Sequence, residues 1–323
     1  LEAEGVIKRY TADLNRASLE TVHDWFKAHY GPNNAVLVLA GDIDEATARA
    51  KVTKWFGPIP RGPQTQDVPA SVPTLPHDVT QARSDRGATV RLYRDWVGPG
   101  LNEPDAPPLD LEMSIIGGLA SSRLDNILVR QEKLAVDVSA DIQSFEKVGL
   151  AEIAVDVRPG VDPAVVGKRL DEVIAEFLKT GPTKDEVLRA ATSEVAAAVS
   201  QLEQVGGLSG KAATLAEGQL YSNDPDKYRH DLEAYAAATP ESVRAAAAKW
   251  FGRPVYRLTV SPGPRTESGD NLGDGTSGAI AGLKPAYYRT PNRPPPAPTA
   301  AGSAIAAPPV EPIADVKYPV IEH

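Results

Sequence analysis

Proline and glycine set the outer limits of any compact fold in this 323-residue chain. Residues 58–77 are polar and rich in proline, and residues 262–323 hold 12 prolines and 7 glycines with few large apolar side chains. Segments of this composition bury too little apolar surface to offset the conformational entropy lost on folding. Both are therefore predicted to be linkers or arms, and the interval 78–261 between them is predicted to be the main compact unit.

Charge and cysteine content exclude several classes of function. The chain has 43 acidic and 34 basic residues, a formal net charge of −9, and no cluster of lysine or arginine offsets it. A surface of that sign repels phosphate, so nucleic acid is not expected as a partner. The absence of cysteine removes disulfides, thiolate zinc sites and a cysteine nucleophile. The longest apolar runs, such as 35–40, are far too short to span a bilayer, so no membrane span is expected.

The segment 1–57 predicts one helix, one strand and a second helix. Ser18 is a plausible N-cap for the first helix, Asp44 for the second, and the apolar run 35–40 between them predicts a buried strand. A lone apolar strand has two unpaired edges and is an aggregation hazard unless another segment supplies neighbours. The N-terminus also lacks an initiator methionine and the features of a signal peptide. We interpret the chain as an internal piece of a longer protein.

The central unit alternates between strand and helix patterns. Strands are predicted at 89–96, 136–142, 151–157 and 255–260. Helices are predicted at 109–119, around 124–128, at 161–178, after a capping box of Thr183 and Glu186, at 208–220, at 225–238, and from Pro240 onward. Sheet and helices within one unit indicate an α+β fold of two layers.

Part of the pattern recurs along the chain. The helix, turn and strand around Val22 resemble those around Val243, in a register that aligns these two valines. A second register aligns Lys54 with Lys249 and so superposes two identical KWFG tetrapeptides, but it places a strand opposite a proline-rich linker. We prefer the register of Val22 and Val243, which keeps helix on helix and strand on strand. Two ordinary helix–turn–strand joints explain the pattern equally well.

No set of residues forms a recognisable catalytic or metal-binding motif. His23 and His29 are six positions apart, which places them roughly 240° apart around the helix axis, so they cannot bind one ion together. The glycine-rich segment at 206–211 departs from the phosphate-loop spacing, and no complete G-x-S-x-G or calcium-loop pattern is present. The residues themselves predict no catalytic site and no metal site in this chain.

Two motifs nevertheless resemble a known family. The run FKAHYGPNNAVLVLAGDI at 26–43, with FGPIP at 56–60, resembles the end of a domain in the insulinase/pitrilysin zinc metallopeptidases, to which the mitochondrial processing peptidase is related. GGLASSRL at 117–124, followed by LVR at 128–130, is similar to the signature of their second domain. The resemblance covers roughly residues 18–262.

The resemblance implies repeated units, each an antiparallel sheet flanked by helices, with two units in a half and two halves around a peptide-cutting chamber. Residues 1–57 would be the C-terminal part of a first, catalytic-type unit, 78–261 a second, non-catalytic unit, and 262–323 an interdomain linker or arm. Zinc would be bound by an H-x-x-E-H motif and a further glutamate in the parent protein or a partner chain, because this chain lacks that motif. A periplasmic or secreted bacterial location is implied as well.

Arg130 is the candidate substrate-binding residue, since active members carry an arginine and, two helical turns later, a tyrosine that hold substrate. In this chain the segment after Arg130 is one residue shorter, and Val136 is the residue that corresponds to the tyrosine. This favours a structural ion pair for Arg130.

Three hypotheses for function follow from these patterns. The first is a non-catalytic portion of a zinc endopeptidase that helps to enclose the chamber. Its expected partners are the segment or chain with the zinc motif, a second peptidase-like half and peptide substrates. The alternative is a catalytically inactive scaffold or peptide-binding protein of the same fold. The third, an unrelated α/β binding module, applies if the resemblance is accidental. An H-x-x-E-H motif upstream would favour the first hypothesis.

Overall fold

The computed structural model describes residues 17–64, 72 and 74–264. Five strands form one sheet in the order β1-β5-β2-β4-β3. The strands are β1 Val79–Asp85, β2 Arg91–Gly98, β3 Ala135–Ser144, β4 Gly149–Val157 and β5 Tyr256–Pro262. The helices are α1 Leu19–His29, α2 Glu45–Phe56, α3 Ala106–Met113, α4 Pro163–Thr180, α5 Lys184–Glu203, α6 Lys211–Ser222, α7 Lys227–Ala237 and α8 Pro240–Phe251.

The sheet is mixed rather than wholly antiparallel. Strand β5 runs parallel to β1, with Val79 opposite Tyr256, whereas the pairs β2–β5, β2–β4 and β3–β4 are antiparallel. A hairpin joins β3 to β4 and requires that pair to be antiparallel. Strands β1 and β5 are the first and last strands of the unit along the chain, so no tight turn fixes the direction of that pair. Helices packed on a mixed sheet confirm the predicted α+β class.

One hydrophobic core joins the sheet to its helices. Along β2 buried residues alternate with partly exposed ones, as expected for a strand with one face on the core. Trp96 of β2 stacks on Phe251 of α8 with their ring centroids 4.4 Å apart. Helix α4 contributes an apolar stripe at helical spacing: Val166, Leu170, Val173, Ile174 and Phe177.

Local capping chemistry fixes several helix starts where the sequence predicts them. The Thr183 backbone and side chain exchange hydrogen bonds with Glu186, which forms the predicted capping box of α5. Pro240 occupies the first position of α8, and Asp44 accepts a hydrogen bond of 2.8 Å from the Thr47 amide at the start of α2. These three predictions are confirmed, because each depends on residues within one turn of the helix end.

The helix predicted at 109–119 is only partly α-helical. Helix α3 ends at Met113, and Ser114–Gly118 continues as a π-helical turn; a second π-helical segment, Asp125–Gln131, occupies the predicted short helix. The first of these turns lies close against β3. A Cβ atom on Gly117 would lie 2.7 Å from the Cβ of Ala140, so glycine permits the close approach.

The predicted buried strand at 35–40 is not observed. In the described part of the chain these residues pair with no sheet, and Val36, Leu37 and Leu39 are 39%, 52% and 48% exposed. Ala35 does have extended backbone, with φ −141° and ψ 146°. The prediction of burial was wrong because burial depends on neighbouring strands, and within residues 17–64 none is present.

Strand β1 was not predicted from the sequence. Its residues, VTQARSD, lack apolar alternation because β1 is an edge strand and no residue in it is fully buried. At the other end of the unit, the arm predicted at 262–323 lies outside the described residues except for 262–264. Among the described helices, none is long and apolar enough to cross a membrane.

Candidate functional site

Arg130, the predicted candidate for substrate contact, is engaged with its own segment. Its Nε atom lies 2.5 Å from Oδ2 of Asp125, and its Nη2 atom donates a 2.8 Å hydrogen bond to the Ala120 carbonyl. The Arg130 side chain is 58% exposed, whereas Asp125 is 21% exposed. Two of its nitrogens therefore hold the loop before the π-helical segment, and a role in binding substrate stays a prediction.

Arg123, in the same signature, makes the more enclosed ion pair. Its Nε and Nη2 atoms donate to the two carboxylate oxygens of Glu186, each at 2.8 Å, and Nη2 also donates to the Gly181 carbonyl. The guanidinium lies over the Phe177 ring. Burial alone would raise the pKa of Glu186, but hydrogen bonds from Arg123 and Thr183 outweigh it and hold the pKa at about 2. Arg123 thus connects the GGLASSRL segment at 117–124 to the end of α4 and the start of α5.

Glu112 on α3 is the chemically most unusual residue of the unit. Its side chain is fully buried, and neither carboxylate oxygen has a hydrogen-bond partner among the described residues. Burial raises the pKa of Glu112 well above its usual range. An unpaired buried carboxylate is costly, so burial at this position favours the protonated, neutral form of the group. Glu112 is in no motif that the sequence predicts to be functional, although an acidic residue within LEMSII was a possible signal.

The neighbours of Glu112 along α3 show why this helix cannot act as a zinc motif. Leu109 and Met113 lie beside Glu112 on α3, and the helix carries no histidine. Both of these side chains are buried in the core. Leucine offers no lone pair and a thioether is a poor zinc ligand, so the residues present do not fit the ion.

Two further carboxylates, one on α3 and one on α5, make hydrogen bonds near Glu112 in the sequence. Asp110 accepts a 2.5 Å hydrogen bond from the Tyr235 hydroxyl of α7, and Glu194 of α5 accepts a 2.8 Å hydrogen bond from the Ser114 hydroxyl. Burial raises the pKa of Asp110 to about 6 despite the Tyr235 hydrogen bond, which lowers it. These contacts join α3 to the helices around it, and neither carboxylate is paired with an imidazole in the described contacts.

The histidines are dispersed. His23 and His29 lie exposed on α1, and His230 contacts Asp224 at 3.0 Å. Over residues 17–64 and 74–264, no group of three or more histidine, cysteine, aspartate or glutamate side chains could hold a metal ion.

Comparison with known proteins places the chain in a family. The family model described as the peptidase M16 inactive domain matches residues 16–194, which is more than half of the chain. The chain therefore belongs to this family, and the resemblance to insulinase/pitrilysin zinc peptidases is confirmed.

A curated relative and two solved structures extend the comparison. An uncharacterized zinc protease of Streptomyces coelicolor is 25% identical over 260 residues, which are 77% of this chain and 54% of that protein. The chain thus spans about half the length of the relative. A protease from Helicobacter pylori has a TM-score of 0.67 at 17% identity, over 77% of this chain and 60% of that one. The peptidase M16 inactive domain from Pseudomonas fluorescens has a TM-score of 0.66 at 19% identity, over 78% and 60%. Both structures show the same fold.

Proposed function

We propose that this chain is a non-catalytic portion of a zinc-dependent endopeptidase of the insulinase/pitrilysin type, and that it helps to enclose a chamber in which peptides are cut. The observation that carries the proposal is the match of residues 16–194 to the peptidase M16 inactive domain. The name of the Streptomyces relative, a zinc protease, supports it.

In this proposal the parent protein, a longer polypeptide that includes this chain, holds the zinc and its ligands outside residues 1–323. Residues 1–57 complete a catalytic-type unit, 78–261 form the second unit, and 262–323 link this half to a second peptidase-like half. Peptides are the substrates. The parent protein is periplasmic or secreted; a related structure is a periplasmic protease from Escherichia coli, which supports this location.

The test compares zinc content and peptide cleavage in the parent protein and two variants. Glu112→Gln should leave zinc content unchanged and kcat/KM on a fluorogenic peptide within about twofold, because a neutral amide replaces a neutral acid away from the zinc. Deletion of 78–323 should leave the zinc bound while cleavage falls by roughly 100-fold or more, because one wall of the chamber is lost.

Two outcomes would contradict the proposal. Abolition of cleavage by Glu112→Gln, in a variant with an unchanged unfolding curve, would make Glu112 itself catalytic. A parent protein that holds no zinc and cleaves no peptide would leave the alternative, a catalytically inactive scaffold or peptide-binding protein of the same fold.

A further inference from the structure

A cavity of about 610 Å³ lies between the tip of the β3–β4 hairpin and the helix pair α6–α7. Small-molecule sites in proteins have volumes of roughly 300–1,000 Å³, so this cavity is large enough to hold a ligand. A smaller cavity of about 220 Å³ adjoins it, since Lys227 and Asp231 line both. We name the first the hairpin cavity and the second the inner cavity.

Aromatic side chains from three elements line the hairpin cavity: Phe145 of the hairpin, Tyr221 of α6 and Tyr228 of α7. Phe145 and Tyr221 are 57% and 46% exposed, so a ligand can reach both rings. The loop before α3 holds the opposite walls in place. The Leu101 amide donates a 2.9 Å hydrogen bond to the Phe145 carbonyl, and the Asn102 side-chain amide donates one of 2.9 Å to the Tyr221 carbonyl. The rings therefore stand on a fixed frame, which lowers the cost of binding.

Carboxylates dominate the charge of the hairpin cavity. Glu146, Glu217 and Asp231 line it, and Lys227 is the basic residue of the lining. Lys227 forms an ion pair with Asp231, so its charge is already balanced. Among the ion pairs of the described residues, none includes Glu146 or Glu217. The cavity therefore combines aromatic rings with an excess of negative charge.

The inner cavity continues this pattern. Asp110 lines it, and its Oδ2 atom accepts the 2.5 Å hydrogen bond from Tyr235, whereas the described hydrogen bonds leave Oδ1 without a donor. Burial raises the pKa of Asp110 to about 6, and the nearby carboxylates of Glu194 and Asp231 raise it further against the effect of Tyr235. A positive charge brought close to Asp110 would stabilise its ionised form.

The lining excludes most other classes of ligand. An anion would be repelled by the carboxylates. A bare metal ion does not fit either, because no group of three or more acidic or histidine side chains in the described part of the chain could hold one. A neutral apolar molecule would contact the rings but would leave the carboxylates without a counter-charge. Aromatic faces and carboxylates together suit an organic cation, which is attracted by both.

We propose that the hairpin cavity and the inner cavity form a binding site for an organic cation, namely an alkylammonium or guanidinium group such as that of a lysine or arginine side chain. Phe145 and Tyr221 supply the aromatic faces, and Glu217 supplies the balancing charge at the entrance. The inner cavity, with Asp110 and Tyr235 in its wall, takes the end of a longer ligand. This goes beyond the proposed function, since the site needs no zinc.

Three small probes test the site on the 1–323 chain: acetyl-arginine amide, acetyl-lysine amide and acetyl-citrulline amide. Citrulline has nearly the shape of arginine but no charge. Two-dimensional NMR follows the backbone amides as each probe is added. The two charged probes should shift the amides of 144–146, 217–222 and 227–231, and they should bind at least about fivefold more tightly than the citrulline probe, because only they make cation–π and carboxylate contacts.

A capped tripeptide with a central arginine distinguishes the two sources of such a group. Binding tighter than that of acetyl-arginine amide by about tenfold or more would identify a peptide as the ligand, because flanking residues add contacts. Equal binding would identify a small free amine or guanidine. Either result supports the cation site.

Variants assign the binding to the cavity. Phe145→Ala and Glu217→Gln should each weaken binding of the arginine probe by about threefold or more. Both positions are exposed, so neither change disturbs the core, and unshifted amides of 92–96 in β2 confirm that each variant is folded. Glu176→Gln is the matched control, because Glu176 is exposed on α4 and lies outside both cavities. It should bind the probe as the wild type does.

Three results would overturn the inference. They are equal binding of the arginine and citrulline probes, shifts confined to amides away from both cavities, and unchanged binding in both Phe145→Ala and Glu217→Gln. Failure of this test leaves the proposed function untouched, because neither zinc nor peptide cleavage is measured in it.

Discussion

At the scale of single residues, Glu112 couples the stability of the fold to pH. Its pKa is raised in the folded protein because the carboxyl is buried, whereas the unfolded chain releases this proton near pH 4.5. Above that pH the unfolded state binds fewer protons than the folded state, so the free energy of unfolding falls as pH rises, by about 1.4 kcal/mol per pH unit for one group. Asp95 and Asp110, whose pKa values burial raises to about 6, act in the same direction.

Glu112→Gln should therefore flatten this pH dependence. The amide keeps the shape of the neutral acid but cannot ionise, so the variant should lose less stability than the wild type between pH 5 and pH 8. Urea denaturation at both pH values measures the difference. Glu146→Gln is the control, because Glu146 is exposed in the β3–β4 turn and should leave the dependence as it is. A wild type and a Glu112→Gln variant with parallel pH profiles would show that Glu112 has a charge partner.

The two arginines of the signature should differ in their contribution to stability. Arg123→Ala leaves Glu186 partly buried without its cation and should lower the free energy of unfolding by about 2–4 kcal/mol. Arg130→Ala breaks an exposed pair with Asp125 and should cost less than about 1 kcal/mol. Chemical denaturation of both variants under one condition gives the comparison. If Arg130→Ala costs as much as Arg123→Ala, the Arg130 contacts hold far more than their own loop.

At the scale of elements, the π-helical turn and β3 depend on a residue without a side chain. Gly117→Ala places a Cβ atom 2.7 Å from the Cβ of Ala140 and should cost about 1–3 kcal/mol. The double variant Gly117→Ala, Ala140→Gly removes the clashing atom and should recover part of that loss. Thermal or urea unfolding of the single and double variants checks both expectations.

Two other glycines serve as controls for that cycle. At Gly118 a Cβ atom would lie 2.9 Å from the backbone oxygen of Ala140, which Ala140→Gly cannot remove, so Gly118→Ala should show no rescue. At Gly206 a Cβ atom would meet nothing within 4 Å, and Gly206→Ala should be nearly neutral. Equal rescue at Gly117 and Gly118 would mean that β3 moves away as a whole.

Elements with local signals were predictable from the sequence, and those that depend on distant partners were not. The capping box at Thr183 and the proline at the start of α8 are decided within one turn. Strand β1 is defined only by its pairing with β5, at the opposite end of the unit's sequence, and residues 35–40 have the composition of an interior strand without the neighbours. At the candidate site, the sequence shows how the histidines are spaced, but it does not show that Glu112 is buried. Burial is a property of the whole core.

At the scale of the whole molecule, burial is concentrated in one part of the described chain. Every buried hydrophobic residue of the core lies between Leu92 and Val255, and neither α1 nor α2 contains a buried residue. Stability in small domains comes mainly from buried apolar surface. The front segment should therefore add little to the stability of the sheet unit, while its large apolar side chains Trp25, Phe26 and Tyr30 are exposed to solvent.

Removal of residues 1–77 should take away exposed apolar surface and leave the stability of the sheet unit almost unchanged. The 78–323 chain should keep its free energy of unfolding within about 1 kcal/mol of that of 1–323, because the deleted residues contribute nothing to the described core. It retains Trp96 and Trp250, which are buried, and loses Trp25 and Trp55, which are exposed, so fluorescence in urea reports the unfolding of the sheet unit. Self-association measured by analytical ultracentrifugation should fall, because the exposed apolar side chains of α1 are removed. A loss of more than about 2 kcal/mol would mean that the front segment packs on the sheet unit. Undiminished self-association would place the associating surface elsewhere, with the exposed Leu188 and Val199 of α5 the next candidates.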